Sequence, residues 1–128
     1  MNMLDRLETI ATGLDHPEGV AWGPDGRAYA GGEAGQVYAI GADGEVEEIA
    51  STGGFMYGIT VDGDGTVFAC DFGRGEIARV TGRGEISTYS TGTPDHPIRV
   101  PNFTAFDEAG ALYATDSGLG FGAPHTTP

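Results

Sequence analysis

Short apolar runs alternate with polar, glycine-bearing turns along most of the chain. Val20–Gly23 and Arg27–Gly31 flank Pro24-Asp25-Gly26, and Gln36–Ile40 and Glu45–Ser51 flank Ala42-Asp43-Gly44. The runs are rich in β-branched and aromatic residues, and turns recur about every 8–12 residues, which predicts short antiparallel strands. Proline presets φ for a turn, and glycine takes the positive φ that closes it. No stretch keeps a 3.6-residue apolar period, so no amphipathic helix is predicted.

The pattern is itself repeated. Gly19-Val20-Ala21-Trp22-Gly23-Pro24-Asp25-Gly26 aligns with Gly58-Ile59-Thr60-Val61-Asp62-Gly63-Asp64-Gly65 and with Phe103-Thr104-Ala105-Phe106-Asp107-Glu108-Ala109-Gly110. The turn glycines of the three copies lie 39 and 45 residues apart. Four antiparallel strands in about 40 residues is the signature of a propeller blade. Alternation within each strand is weak, as expected of blades whose two faces both pack on neighbours. The predicted fold is therefore all-β: a partial β-propeller of about two and a half four-stranded blades, where closed propellers have about 4–8.

The whole chain reads as one incomplete propeller domain. Residues 7–12 are expected as an orphan outer strand, 16–55 as blade one, 56–95 as blade two and 100–118 as half of blade three. Residues 119–128 break the pattern. Pro124 and Pro128 would each remove a ladder donor, so this tail is not expected to form an inner strand. Two readings of the length follow: a truncated piece of a longer propeller, or a half-propeller that assembles through its exposed blade edges.

Composition changes the picture in three places. Gly 23 and Pro 7 in 128 residues, with net charge −13, resemble a disordered chain. The regular spacing of the glycines argues against disorder. The six basic residues are all Arg, they form no patch, and the pI is near 4.2, so a phosphate backbone would be repelled and nucleic acid is not an expected partner. A single Cys excludes an internal disulfide framework. There is no long apolar run for a membrane, and the first residues lack the apolar core of a secretory signal, so the expected location is the cytoplasm.

Candidate chemistry sits where inner strands begin. Glu18 precedes the first strand and Asn102 follows Pro101 at the equivalent position of the third blade. Such positions line the mouth of a propeller's central channel, and two oxygen-bearing side chains there suit a hard divalent cation. The alternative is local: a solvated Glu beside a turn and an Asn bonding its own backbone. His16 and His96 occur in matching Asp-His-Pro triplets in loops that feed inner strands. They could bind metal or shuttle protons, or simply pack locally. Cys70, beside Asp71, reads as a small buried apolar residue. Asp62-Gly63-Asp64-Gly65 lacks the Gly and Glu placement of a calcium loop and reads as a hairpin turn.

The stretch His16-Pro17-Glu18-Gly19-Val20-Ala21-Trp22-Gly23-Pro24-Asp25-Gly26 resembles the first-blade motif of the senescence-marker-protein / gluconolactonase / luciferin-regenerating-enzyme-like family. Pro101-Asn102, followed by Leu112-Tyr113-Ala114-Thr115-Asp116, is similar to a later blade of the same family. The resemblance covers about residues 12–118 and implies a six-bladed propeller with a central divalent metal, often calcium or zinc. It implies hydrolysis of a small-molecule lactone or ester. Glu18 then matches a metal ligand, and Asn102 a residue that contacts metal or substrate. The general-base Asp is expected beyond this chain's end, so the chain alone is expected to be inactive and its catalytic residues stay unassigned. The chain departs from the family pattern at Phe103, where relatives carry Asp, and at Tyr57, where many carry Asn. Both weigh against an aldonolactone substrate. Arg99 lies near where some relatives place a substrate-contacting Arg. Tyr57-Gly58-Ile59-Thr60-Val61-Asp62 is also similar to NHL-type repeats, which would make the protein a non-catalytic binding module.

Overall fold

The computed structural model describes residues 2–118. After a 3-10 turn over Met3–Arg6 come ten strands: β1 Val20–Trp22, β2 Ala28–Gly31, β3 Gln36–Ile40, β4 Val46–Ser51, β5 Met56–Val61, β6 Val67–Asp71, β7 Glu76–Val80, β8 Ile86–Ser90, β9 Pro101–Phe106 and β10 Leu112–Asp116. Strands β1–β4 and β5–β8 form two antiparallel sheets in sequence order, and β9–β10 form a hairpin. This is the all-β, partial-propeller architecture: two blades and the inner half of a third.

The turns follow from the sequence as expected. Gly26, Gly65 and Gly110 have φ of +77°, +81° and +84°, the left-handed region that favours glycine. In the second copy the Asp62 Oδ1 accepts the backbone N–H groups of Asp64 and Thr66, so this segment is a hairpin turn.

Blade two lies between its neighbours, and its burial shows it. All five residues of β6 are buried, on both faces of the strand. One apolar cluster joins blades one and two through Tyr29, Val37, Met56, Ile59 and Val67. A second, around Phe68, Cys70 and Ile77, joins blade two to Phe106 and Leu112 of the third. Both-sided burial removes the in–out alternation of a half-solvated sheet. Burial, reinforced by the Asp116 charge, pushes the Cys70 thiol up to about 12, consistent with a packing residue.

Residues 7–12, expected as an outer strand, form no strand. Leu7 and Ile10 are exposed. A strand needs a neighbour to take up its ladder bonds, and no described strand pairs with this segment. The tail expected at 119–128 lies outside the described residues. No described helix is long and apolar enough to cross a membrane.

Candidate functional site

The innermost strands β1, β5 and β9 pack side by side, and two glycines set their spacing. A Cβ on Gly19 would sit 2.7 Å from the Tyr57 carbonyl oxygen. One on Gly58 would sit 2.6 Å from both the Asn102 carbonyl oxygen and the Phe103 Cα. Neither glycine has a positive φ, so closeness rather than backbone conformation requires them. Thr60 and Thr104 tie the second pair together. The Thr60 hydroxyl donates to the Thr104 carbonyl at 2.7 Å, and the Thr104 hydroxyl donates to Thr60 Oγ1 at 2.9 Å.

This spacing gathers the starts of the three strands at one end of the fold. A cleft of about 250 Å³ opens there, lined by Glu18, Tyr57, Gly58, Asn102 and Phe103. Glu18, Tyr57 and Asn102, singled out from three separate blades, thus share one cleft. Arg99 is not among its lining residues. Its backbone N–H donates to Asp116 Oδ2 at 2.8 Å, which fixes the loop ahead of β9.

Aspartates at the ends of second strands hold these approach loops. Buried Asp71 accepts from the Thr52 hydroxyl at 2.6 Å and from the backbone N–H groups of Phe55 and Arg74. Asp116 accepts from the N–H groups of Arg99, Val100 and Gly118. Burial alone would raise the Asp116 carboxyl, but these three donors and the Arg99 charge hold it below the usual carboxylate range. In blade one Gly32, just past the end of β2, occupies the equivalent position. There Asp15 anchors the loop by accepting from the Gln36 side-chain amide at 3.0 Å and the Ala34 N–H at 3.3 Å.

Next to Glu18, His16 bridges two carboxylates. Its Nε2 lies 3.3 Å from Glu18 Oε1 and its Nδ1 3.2 Å from Glu33 Oε2. A neutral imidazole can donate to only one of them, an imidazolium to both. His16 has φ +42°, the single positive φ among the described non-glycine residues. Its ring also meets Phe55 edge-on at 6.5 Å. Phe55 packs edge-on against Tyr57 at 5.2 Å, and Tyr57 stacks on Phe72 at 5.4 Å with planes 13° apart. Burial, with the Glu18 carboxylate adding to it, raises the Tyr57 phenol, so its hydroxyl stays a neutral donor beside Glu18.

Sequence reasoning did not find Phe55, Phe72 or the clamping role of Asp71. Aligning Cys70-Asp71 with Thr115-Asp116 in the repeat carries the signal for the clamps. The aromatic cluster has no such signal, because Phe55 and Phe72 come from two different loops. His96 is not among the cleft's lining residues; it sits in a turn where its backbone N–H donates to the Thr93 hydroxyl oxygen.

Among solved structures, a gluconolactonase from Xanthomonas campestris superposes with a TM-score of 0.75 at 24% identity, over 84% of this chain and 37% of that one. The chain has the gluconolactonase-like β-propeller fold. A virginiamycin B lyase from Staphylococcus aureus shares it, with a TM-score of 0.67 and 20% identity over 81% of this chain and 36% of that one. So does a calcium-binding regucalcin from Agrobacterium tumefaciens, with a TM-score of 0.56 and 19% identity over 70% and 33%. The chain therefore spans well under half the length of these propellers. A family model described as strictosidine synthase-like, N-terminal, matches residues 2–45. No curated protein sequence matches. Lactonases and lyases share this fold, so the fold leaves the reaction open and the site must argue it.

Proposed function

We propose that this cleft is the metal and carbonyl end of a divalent-metal-dependent lactone or ester hydrolase site. The reading rests on one observation: Glu18 and Asn102, from the first and third blades, line the same cleft at the starts of inner strands. The gluconolactonase and the calcium-binding regucalcin among its structural relatives support it.

The donor set fits such a cation in part. A carboxylate and an amide oxygen are the hard donors that calcium prefers, and calcium takes about 6–8 of them. No group of three or more His, Cys, Asp or Glu side chains among the described residues is placed to hold a metal. Glu18 and Asn102 would hold it, and the remaining positions would go to water or to residues outside this set. When bound, the cation polarises a lactone carbonyl and acidifies a water. Glu18 supplies charge at that point, with His16 holding one of its oxygens. Asn102 supplies a neutral oxygen and an amide donor that can orient a carbonyl. The Tyr57 hydroxyl remains available as a donor. Glu18 and Asn102 are engaged by the cation in this reading and the general-base Asp is expected outside this set, so the chain by itself is expected to bind rather than turn over.

Calorimetric titration of calcium and of zinc into the full chain tests this reading. Glu18→Gln removes the one charged donor while preserving shape, so metal affinity should fall at least about tenfold, the equivalent of ~1.4 kcal/mol. Equal affinity in wild type and E18Q, or no metal binding by wild type, refutes it.

A further inference from the structure

Two aromatic residues line the cleft together with its polar groups. Tyr57 is one of them, and its ring is fixed by stacking on Phe72 at 5.4 Å and by an edge contact with Phe55 at 5.2 Å. Phe103 is the other and is 51% exposed. Gly58 adds no side chain to the cleft, and the Phe103 ring lies over it: a Cβ there would fall 2.8 Å from Phe103 Cδ2. A volume of about 250 Å³ is the space of roughly eight waters.

We propose that Tyr57 and Phe103 make this cleft selective for a lactone or ester bearing a flat apolar ring, and select against polyhydroxylated lactones. This rests on reading the cleft as the carbonyl end of a hydrolase site. The physical reason is polar satisfaction. A sugar lactone brings several hydroxyls, each of which loses water on entering and needs a partner. The cleft's side chains offer the Glu18 carboxylate, the Asn102 amide and the Tyr57 hydroxyl, and a carbonyl with its metal would already occupy the first two. The rest of the lining is two aromatic faces and a glycine. An aryl ring meets those faces with no unpaired polar atom and gains offset or edge contacts with both. The Tyr57 ring is held by Phe55 and Phe72 before any ligand arrives, so binding need not order it.

The test uses two unreactive lactams as probes: dihydroquinolinone, with a flat aryl ring, and gluconolactam, with a polyhydroxylated one. Each is titrated into the full chain by calorimetry, with the ring-proton NMR signals of Tyr57 and Phe103 followed in parallel. Dihydroquinolinone should bind at least about tenfold tighter than gluconolactam. Phe103→Ser and Tyr57→Ala should each weaken it by about three- to tenfold, while Tyr57→Phe retains it and gluconolactam is unaffected. Phe103 is half exposed on β9, so F103S is the variant that keeps the fold, checked by its urea midpoint. Equal or tighter gluconolactam binding, no binding of either lactam, or a folded F103S that binds dihydroquinolinone as wild type does would each overturn the proposal. Metal binding is a separate readout. Ring-dependent lactam binding with no metal affinity refutes the hydrolase reading alone, and metal affinity lost in E18Q without ring selectivity refutes this proposal alone.

Discussion

Gly58 offers the sharpest test of how the cleft is built. Alanine there is allowed by the backbone, since φ is not positive. Its methyl would lie 2.6 Å from the Asn102 carbonyl oxygen and from the Phe103 Cα. Both are backbone atoms of β9 and cannot rotate away. Ordinary carbon contacts are about 3.5–4 Å, so β9 would have to move by most of an ångström. Overpacking of this kind costs ~1–3 kcal/mol. The Thr60–Thr104 hydroxyl bonds at 2.7 and 2.9 Å span the same seam, and lengthening one adds ~1 kcal/mol. With a urea m-value of ~1–3 kcal/mol/M, the midpoint should fall by about 1 M. Gly63 is the control, because nothing lies within 4 Å of its would-be Cβ and its φ is not positive. Gly63→Ala should be neutral or stabilise by up to ~1 kcal/mol, through the entropy of the unfolded chain. Equal midpoints for G58A and G63A would refute the claim that close approach of β5 and β9 requires glycine.

Two further outcomes follow from the carboxylates. Asp71→Asn puts an amide where Thr52, Phe55 and Arg74 all donate to a buried carboxylate, and should cost ~1.5–3 kcal/mol in urea unfolding. A wild-type midpoint would remove the clamp role. Asp107 is held below its ordinary carboxyl value by the Ala111 N–H first, then by Ala109, Tyr113 and Gly110, against slight burial. A depressed folded value means that the unfolded chain binds more protons, so this contribution is present above the ordinary value and is lost as pH falls through the folded one. Thermal midpoints should therefore drop on the acid side below about pH 4. Asp107→Asn should flatten that slope, and an unchanged slope would count against the assignment.

The strands and turns were legible because they are local. The turn glycines need positive φ wherever they sit, and β-branched runs between them favour extended backbone. Glu18 and Asn102 were legible as candidates for a related reason: the repeat gives them equivalent positions at the starts of inner strands. Residues 7–12 have strand-like composition but no described partner, because β-propensity marks a segment that can pair without supplying its neighbour. The pairing of an edge segment is a tertiary fact.

By itself, then, the sequence determined the blade repeat, its turns and the polar residues at each inner-strand start. Only the tertiary structure decided that Glu18, Tyr57 and Asn102 share one cleft, because that depends on how closely β1, β5 and β9 approach through Gly19 and Gly58. It also decided the cleft's chemical character. Phe55 and Phe72 come from separate loops and meet Tyr57 only because Asp71 draws the loop that carries Phe55 toward the end of β6. No spacing along the chain encodes that meeting. Side-chain contacts across strands are set by packing, and packing is a property of the whole fold.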